Sequence, residues 1–129
     1  KASINTTEWM AWEYAETAAE AIRKLRREFS TSLEQYSSSE SRADRGTNRE
    51  VQGIQIVAIE QSAKSMRYDK ALYQFPIALI VGNETNGVSK EVLKMADQIV
   101  EIPMWGVNKS LNVMVSLGIV LSEVMKHHV

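Results

Sequence analysis

The hydrophobic pattern begins with a helical period. Between Ile4 and Phe29, apolar residues recur every three or four positions, so they share one face of a predicted amphipathic helix. Asn5 is followed three residues later by Glu8, which is a capping-box pattern for the first turn of that helix. Residues 30–52 break the period, because serine, arginine and glutamate dominate and apolar residues are rare. This composition predicts a mobile loop insertion.

Three short apolar runs after the insertion predict buried β-strands. They are rich in isoleucine and valine, and they read IQIVAIE (54–60), PIALIVG (76–82) and QIVEIP (98–103). Because helical segments separate some of these strands, the pattern favours an α/β fold with a mainly parallel sheet flanked by helices.

Two further helices are predicted in the second half of the chain. Ser89 is the expected N-cap of the first, which runs to about Ala96. The second helix is predicted from about Leu111 to Lys126, and either Ser110 or Lys109 is its expected cap. His127 and His128 follow it, and they are expected to form a frayed tail rather than a metal site.

Composition narrows the class of protein. The chain has 129 residues, 44% of them apolar, which suits a single domain over 1–129. No apolar run is long enough to span a bilayer. The absence of cysteine excludes disulfides and thiolate metal sites, and it fits a reducing, cytoplasmic location.

Charge limits how the chain can contact nucleic acid. The formal net charge is −1, so such a contact must come from a local basic patch. Residues 23–27 contain four cationic side chains at the end of the first predicted helix. They form either a solvated helix end or a basic edge that contacts RNA phosphates.

Ligand chemistry is expected at one edge of the predicted sheet. In an open parallel sheet, ligands bind beyond the carboxyl ends of the strands. A glycine there lets a ligand approach the backbone, polar residues supply donors and acceptors, and apolar residues can sandwich a flat ring. The edge therefore suits a neutral or zwitterionic nucleoside. The residues are Gly82, the polar Asn83, Glu84, Ser110 and Asn112, and the apolar Ile102, Met104 and Leu111.

Most of these residues also have a simpler structural explanation. Asn83 is a turn former, Glu84 in a turn is usually a solvated carboxylate, and Ser110 can be a helix cap. Asn112 is less easily explained, since asparagine is a poor helix former. The apolar residues are as easily explained as plain core, so spacing alone supports a ligand site only weakly.

Two motifs stand close together in the last third of the chain. GNETNGVS (82–89) is followed by IPMWGVNKSLNV (102–113), and IVAIEQSAKSMRY (56–68) precedes both. In order and spacing, these segments resemble the second and third motifs of the SpoU-type branch of the SPOUT methyltransferases, together with the strand that precedes them. The pair of motifs is rarely met elsewhere.

The resemblance implies a fold and an activity. The family's α/β domain threads its C-terminal segment into a trefoil knot and forms homodimers, with the last helix at the dimer interface. It transfers a methyl group from S-adenosylmethionine to a ribose 2′-hydroxyl of tRNA or rRNA. Carried over by position, Asn83, Glu84 and Asn112 would support the active site. The cofactor pocket would be lined by Glu60, Gly82, Ile102, Met104, Ser110 and Leu111.

One family feature has no counterpart in this sequence. The first motif, NxGxxxRxA, carries the arginine usually assigned to activating the ribose hydroxyl, and it would precede Lys1. We therefore expect a partial domain that binds cofactor without strong catalysis by itself, either as the C-terminal piece of a longer protein or as a degenerate relative. The competing function is a knotted RNA-binding or scaffold module with a vestigial cofactor site.

Overall fold

The computed structural model describes residues 10–39, 53–107 and 110–128. Three helices and four strands lie within these ranges. The helices are α1 (Ala18–Ser39), α2 (Lys90–Met95) and α3 (Val113–Met125). The strands are β1 (Gln55–Ile59), β2 (Met66–Arg67), β3 (Ile77–Ile80) and β4 (Gln98–Glu101). None of these helices is long and apolar enough to cross a membrane.

The strands form one parallel sheet in the order β2-β4-β1-β3. β1 lies inside the sheet, where Ala58 pairs with Ile80 of β3 on one side and with Ile99 of β4 on the other. This arrangement confirms the predicted α/β fold. Because the paired strands run in the same direction, their carboxyl ends lie at the same edge.

Side chains of β1 alternate between the two faces of the sheet. Ile56 and Ala58 lie on the face covered by α1 and α2, where they join Ile22 and Val92 in a buried apolar cluster. Fully burying an aliphatic side chain contributes roughly 1.5–3 kcal/mol, so this cluster holds both helices on the sheet.

The opposite face of the sheet is covered by α3. Val57 of β1 and Val100 of β4 join Val120 and Val124 of α3 in a second cluster, and all four side chains are fully buried. The sheet is therefore the middle layer of three. The position of α3 matters for function, because its first turn borders the carboxyl ends of the strands.

The end of the chain packs against the loop between β2 and β3. The ring of His127 meets Tyr73 edge-on with centroids 5.3 Å apart, and His128 meets Phe75 at 4.7 Å. Burial raises the pKa of Tyr73 to about 12, so its hydroxyl stays protonated. The predicted frayed tail is wrong, because two rings distant in sequence offer these histidines a packing surface.

The first helix is shifted along the chain relative to its prediction. It begins at Ala18, where the N–H of Glu20 donates to Thr17 Oγ1 at 3.1 Å, and residues 10–17 are not helical. The physical reason is packing: Trp12 is 72% exposed, whereas Ala19 is buried against the sheet. The capping box predicted at residues 5–8 lies outside the described residues.

Helix α1 also extends further than expected. It reaches Ser39, so residues 30–39 of the predicted loop insertion are helical. The apolar positions Phe29, Leu33 and Tyr36 continue the three- to four-residue spacing, and this continuation accounts for the longer helix. Residues 40–52 lie outside the described part of the chain, so the rest of the predicted insertion stays a prediction.

Two of the basic residues near the middle of α1 hold it against α2. Arg23 forms an ion pair with Glu91 at 3.1 Å. Arg26 donates to the backbone carbonyl of Met95 at 2.5 Å and lies 3.7 Å from Asp97. These contacts favour a structural role for the basic segment over an edge that contacts RNA.

Candidate functional site

A cleft of about 820 Å³ lies at the carboxyl ends of β1, β3 and β4. This volume is typical of small-molecule sites. All nine residues predicted for the site line it, so the structure brings together the strand ends that the sequence predicted to converge. Their roles in binding or catalysis stay predictions. The nine are Glu60, Gly82, Asn83, Glu84, Ile102, Met104, Ser110, Leu111 and Asn112.

The lining of the cleft combines apolar walls with an excess of acidic groups. Ile59, Leu93, Ile102, Met104 and Leu111 supply apolar surface. Three carboxylates, Glu60, Glu84 and Glu101, face a single cationic residue, Lys90, among the described lining residues. Such a lining favours a ligand that carries positive charge and has a flat apolar part. It disfavours a ligand that carries several phosphates.

Gly82 lies where β3 leads into the loop that forms one wall of the cleft. A Cβ added there would lie 2.0 Å from the backbone carbon of Gly87 and 2.3 Å from the amide nitrogen of Val88. Gly82 lines the cleft, and the approach of a ligand to its backbone stays a prediction. The space beside its Cα is filled by the loop itself, so glycine is required for the loop to close.

Asn83 organises the same loop from inside. Its Oδ1 accepts the N–H of Thr85 at 3.0 Å and also the N–H of Asn86. Its backbone carbonyl accepts the N–H of Gly87 at 3.1 Å, and Gly87 has a φ of +66°. The turn-forming explanation of Asn83 is confirmed, and the side-chain oxygen is already engaged within the loop.

Glu60 ties this loop to β1. Its Oε2 accepts the N–H of Val88 at 2.8 Å, and its Oε1 accepts the N–H of Gln61 at 3.0 Å. Both carboxylate oxygens therefore bond to backbone amides. Glu84 differs, because it is exposed and its side chain has no hydrogen bond or ion pair within the described structure.

Asn112 is the N-cap of α3. Its Oδ1 accepts the N–H groups of Met114 at 2.9 Å and Val115 at 3.4 Å. The predicted cap at Ser110 or Lys109 is wrong: Ser110 lies two residues before the cap, and Lys109 is outside the described residues. Asparagine is among the best N-caps, which explains a residue that looked out of place inside a helix.

The cap predicted for the shorter helix is confirmed. Ser89 Oγ accepts the N–H of Val92 at 3.3 Å, and Glu91 lies in the first turn of α2. Helix α2 follows directly from the loop that forms the cleft wall, so this cap fixes where the loop ends.

Several residues that line the cleft were not predicted from the sequence. Glu101 is the last residue of β4, and the rule that ligands bind beyond strand ends could have found it. Lys90 and Ser116 line the cleft from the first turns of α2 and α3. No group of three or more His, Asp or Glu side chains within the described ranges could hold a metal ion.

Comparison with known proteins identifies the family. Residues 33–122 match the SpoU rRNA Methylase family, and this match covers more than half of the chain. The chain therefore belongs to the SpoU rRNA Methylase family.

Curated relatives share this part of the chain. The tRNA (guanosine(18)-2′-O)-methyltransferase of Aquifex aeolicus is 45% identical over 74 residues, which cover 57% of this chain and 35% of that protein. The protein of the same name from Escherichia coli strain K12 is 36% identical over 75 residues, or 58% of this chain and 33% of that one. The chain thus spans about a third of the length of these relatives.

Solved structures show the same likeness. The AdoMet-bound rRNA methyltransferase of Sinorhizobium meliloti has a TM-score of 0.55 and 34% identity, covering 59% of this chain and 29% of that one. The Aquifex aeolicus TrmH/SpoU tRNA modifying enzyme has a TM-score of 0.53 and 35% identity, covering 76% of this chain and 43% of that one. Both agree with the parallel α/β fold.

The cap at Asn112 predicts a measurable effect on stability. Asn112→Ala should lower the free energy of unfolding by about 1 kcal/mol, because two amides at the start of α3 lose their acceptor. Asn112→Asp keeps the acceptor oxygens and should stay close to the wild type. Urea unfolding followed by circular dichroism measures both. An alanine variant as stable as the wild type would contradict the capping role.

Proposed function

We propose that this chain is the cofactor-binding part of an S-adenosylmethionine-dependent RNA methyltransferase that modifies a ribose 2′-hydroxyl of tRNA or rRNA. The main support is that eight residues predicted from two sequence motifs, together with Glu60 from the preceding strand segment, line a single cleft of about 820 Å³. Further support comes from the similarity to tRNA 2′-O-methyltransferases and to an AdoMet-bound rRNA methyltransferase. A cytoplasmic location suits both an RNA substrate and a chain without cysteine.

The lining of the cleft fits this cofactor. S-adenosylmethionine carries a positive sulfonium, which the surplus of carboxylates over cations in the lining would favour. Its adenine is flat and apolar on both faces, which suits Ile102, Met104 and Leu111. Gly82 and Ser110 would contribute backbone groups that orient the nucleoside. The C-terminal segment would be threaded as a trefoil knot around this site.

The residues of the cleft divide into supporting and reacting groups. When bound, the cofactor supplies an electrophilic methyl group. The side-chain oxygens of Asn83 and Asn112 already accept backbone amides, so these residues would hold the walls of the site. The exposed Glu84 is the better candidate to accept the proton of the ribose hydroxyl, a very weak acid. Holding hydroxyl and methyl group close together would supply much of the remaining rate.

Cofactor binding is tested by calorimetry with S-adenosylmethionine or its demethylated product. The wild type should release or absorb heat with a saturable isotherm. Gly82→Ala should lose at least about tenfold in affinity, because the added Cβ would meet the Gly87–Val88 peptide at 2.0–2.3 Å. Gly53→Ala is the matched control, since a Cβ there has nothing within 4 Å. No heat from the wild type at millimolar ligand would rule out the pocket.

Catalysis is tested separately by transfer of a radiolabelled methyl group to bulk tRNA and rRNA. Methyl incorporation that is lost when Glu84 is replaced would support the methyltransferase function. A chain that binds RNA but neither binds the cofactor nor transfers label would favour the competing function of an RNA-binding or scaffold module with a vestigial cofactor site.

A homodimer through α3 is the second part of the proposal. Apart from Ser122, the exposed residues of α3 are apolar or glycine, and Met114, Val115, Leu121 and Met125 are 45–70% exposed. Gly118 lies among them, and a Cβ added to it would have nothing within 4 Å, so a second helix can approach closely there. A helix with this much exposed apolar surface is expected to pack against another protein surface.

Leu121→Glu should therefore yield monomers in sedimentation velocity, because a carboxylate would be buried without a partner in the dimer. Leu117→Glu is less informative, since Leu117 is half-buried in the single chain. Lys94→Glu puts a carboxylate on α2, in the opposite layer, and should leave the oligomer unchanged. A dimer that is unchanged in Leu121→Glu would contradict this part of the proposal.

RNA contact near the cleft is expected at Lys90. It lines the cleft, it is exposed, and it has no hydrogen bond or ion pair within the described residues. Arg23 and Arg26 of α1, by contrast, are already paired with the α2 segment. Lys90 is therefore placed to bind a phosphate of RNA that has its ribose in the cleft.

Lys90→Gln should weaken binding of bulk tRNA by roughly threefold to tenfold and reduce the slope of log K against log salt by about one. Lys94 is the matched control, because it is an exposed lysine one turn further along α2 that does not line the cleft. Filter binding at several salt concentrations measures both variants. If both lysine variants lose the same affinity for tRNA, the effect comes from overall charge and not from a specific phosphate contact by Lys90.

A further inference from the structure

We propose that Glu60 is a positioning residue that fixes one wall of the cleft without touching the substrate. Its carboxylate would act as a clasp that joins the loop 82–88 to the end of β1. This inference rests on the proposed cofactor function of the cleft. It also assigns Glu60 a different role from the direct cofactor contact that the sequence resemblance implies.

Three successive amides of the loop bond within the loop itself, and the next one does not. The N–H groups of Thr85 and Asn86 bond to Asn83 Oδ1, and that of Gly87 bonds to the Asn83 carbonyl. The next N–H, on Val88, bonds instead to Glu60 Oε2 at 2.8 Å. The loop is thus a closed unit, and the Glu60 bond is what joins its last amide to β1.

Glycine at position 87 makes room for this carboxylate. Gly87 has a φ of +66°, and a Cβ added to it would lie 2.3 Å from Glu60 Oε2. The carboxylate therefore packs directly on the Cα of Gly87. Its other oxygen accepts the N–H of Gln61 at 3.0 Å, so one side chain joins backbone amides from two chain segments.

The clasp matters for the cleft because of what it holds. All of residues 82–88 line the cleft, and the loop leads directly into the Ser89 cap of α2. Val88 is only 8% exposed, and the Glu60 carboxylate is the acceptor of its amide. An amide left without an acceptor would favour a displaced loop, and small displacements of a binding wall reduce affinity strongly.

Glutamine cannot fully replace this carboxylate. A glutamine side chain has one acceptor oxygen, and its amide group would turn a donor toward one of the two N–H groups. Glu60→Gln should therefore be intermediate between the wild type and Glu60→Ala. If Glu60 only supplied negative charge near the cofactor, the loss of affinity in these variants would not follow the loss of the hydrogen bond to the Val88 amide.

The test combines hydrogen exchange of the Val88 amide with calorimetry of the demethylated cofactor, S-adenosylhomocysteine. In Glu60→Ala, exchange at Val88 should accelerate by at least about tenfold, and affinity for the ligand should fall by about tenfold. Glu60→Gln should show smaller changes in both, and it carries the test if the alanine variant does not fold. Glu16→Ala is the control, since Glu16 is an exposed glutamate without a hydrogen bond or ion pair in the described structure.

Each outcome decides the proposal. Lost affinity with unchanged exchange at Val88 would mean that Glu60 touches the ligand directly, and it would overturn the clasp. Faster exchange with unchanged affinity would show that the clasp does not shape the cleft, and it would also overturn the proposal. If the wild type fails to bind the ligand, the proposed cofactor function fails, while the exchange rates still decide whether Glu60 holds the loop.

Discussion

The cleft depends on the parallel pairing of β1 with both β3 and β4. This pairing brings three carboxyl ends, far apart in sequence, to one edge of the sheet. Burial on the two faces holds the arrangement, with Ile56 under α1 and α2 and Val57 under α3. A shift of β1 by one residue would exchange these faces, so the apolar pattern also fixes where the strands end.

At that edge, several polar side chains accept hydrogen bonds from backbone amides. Asn83 and Asn112 each accept two amides near the cleft, and Glu60 accepts one with each carboxylate oxygen. These residues give the walls a defined shape, which a site that recognises a nucleoside through main-chain groups requires. Glu84 and Lys90 lack such bonds within the described structure, and they are the residues best placed to meet a substrate.

Local signals in the sequence were enough for β1, β3 and β4, the Ser89 cap and the strand ends that line the cleft, whereas the two-residue strand β2 was not predicted. They were not enough where the outcome depends on distant partners. The start of α1 is set by packing of Ala19 on the sheet, and the chain end is ordered by Tyr73, over fifty positions earlier. Glu60 bonds an amide 28 residues away, which no spacing rule reveals. The cap of α3 was predicted at Ser110 or Lys109, but the helix begins later and Asn112 is its cap.

Mapping of amide chemical shifts on addition of S-adenosylhomocysteine tests the central claim most directly, because it reports where on the chain a ligand binds. The account predicts that the amides that shift most belong to residues 82–88, 102–104 and 110–112, with those of α1 nearly unchanged. Shifts confined to α1 or to the loop between β2 and β3 would contradict a cofactor cleft built from the three strand ends.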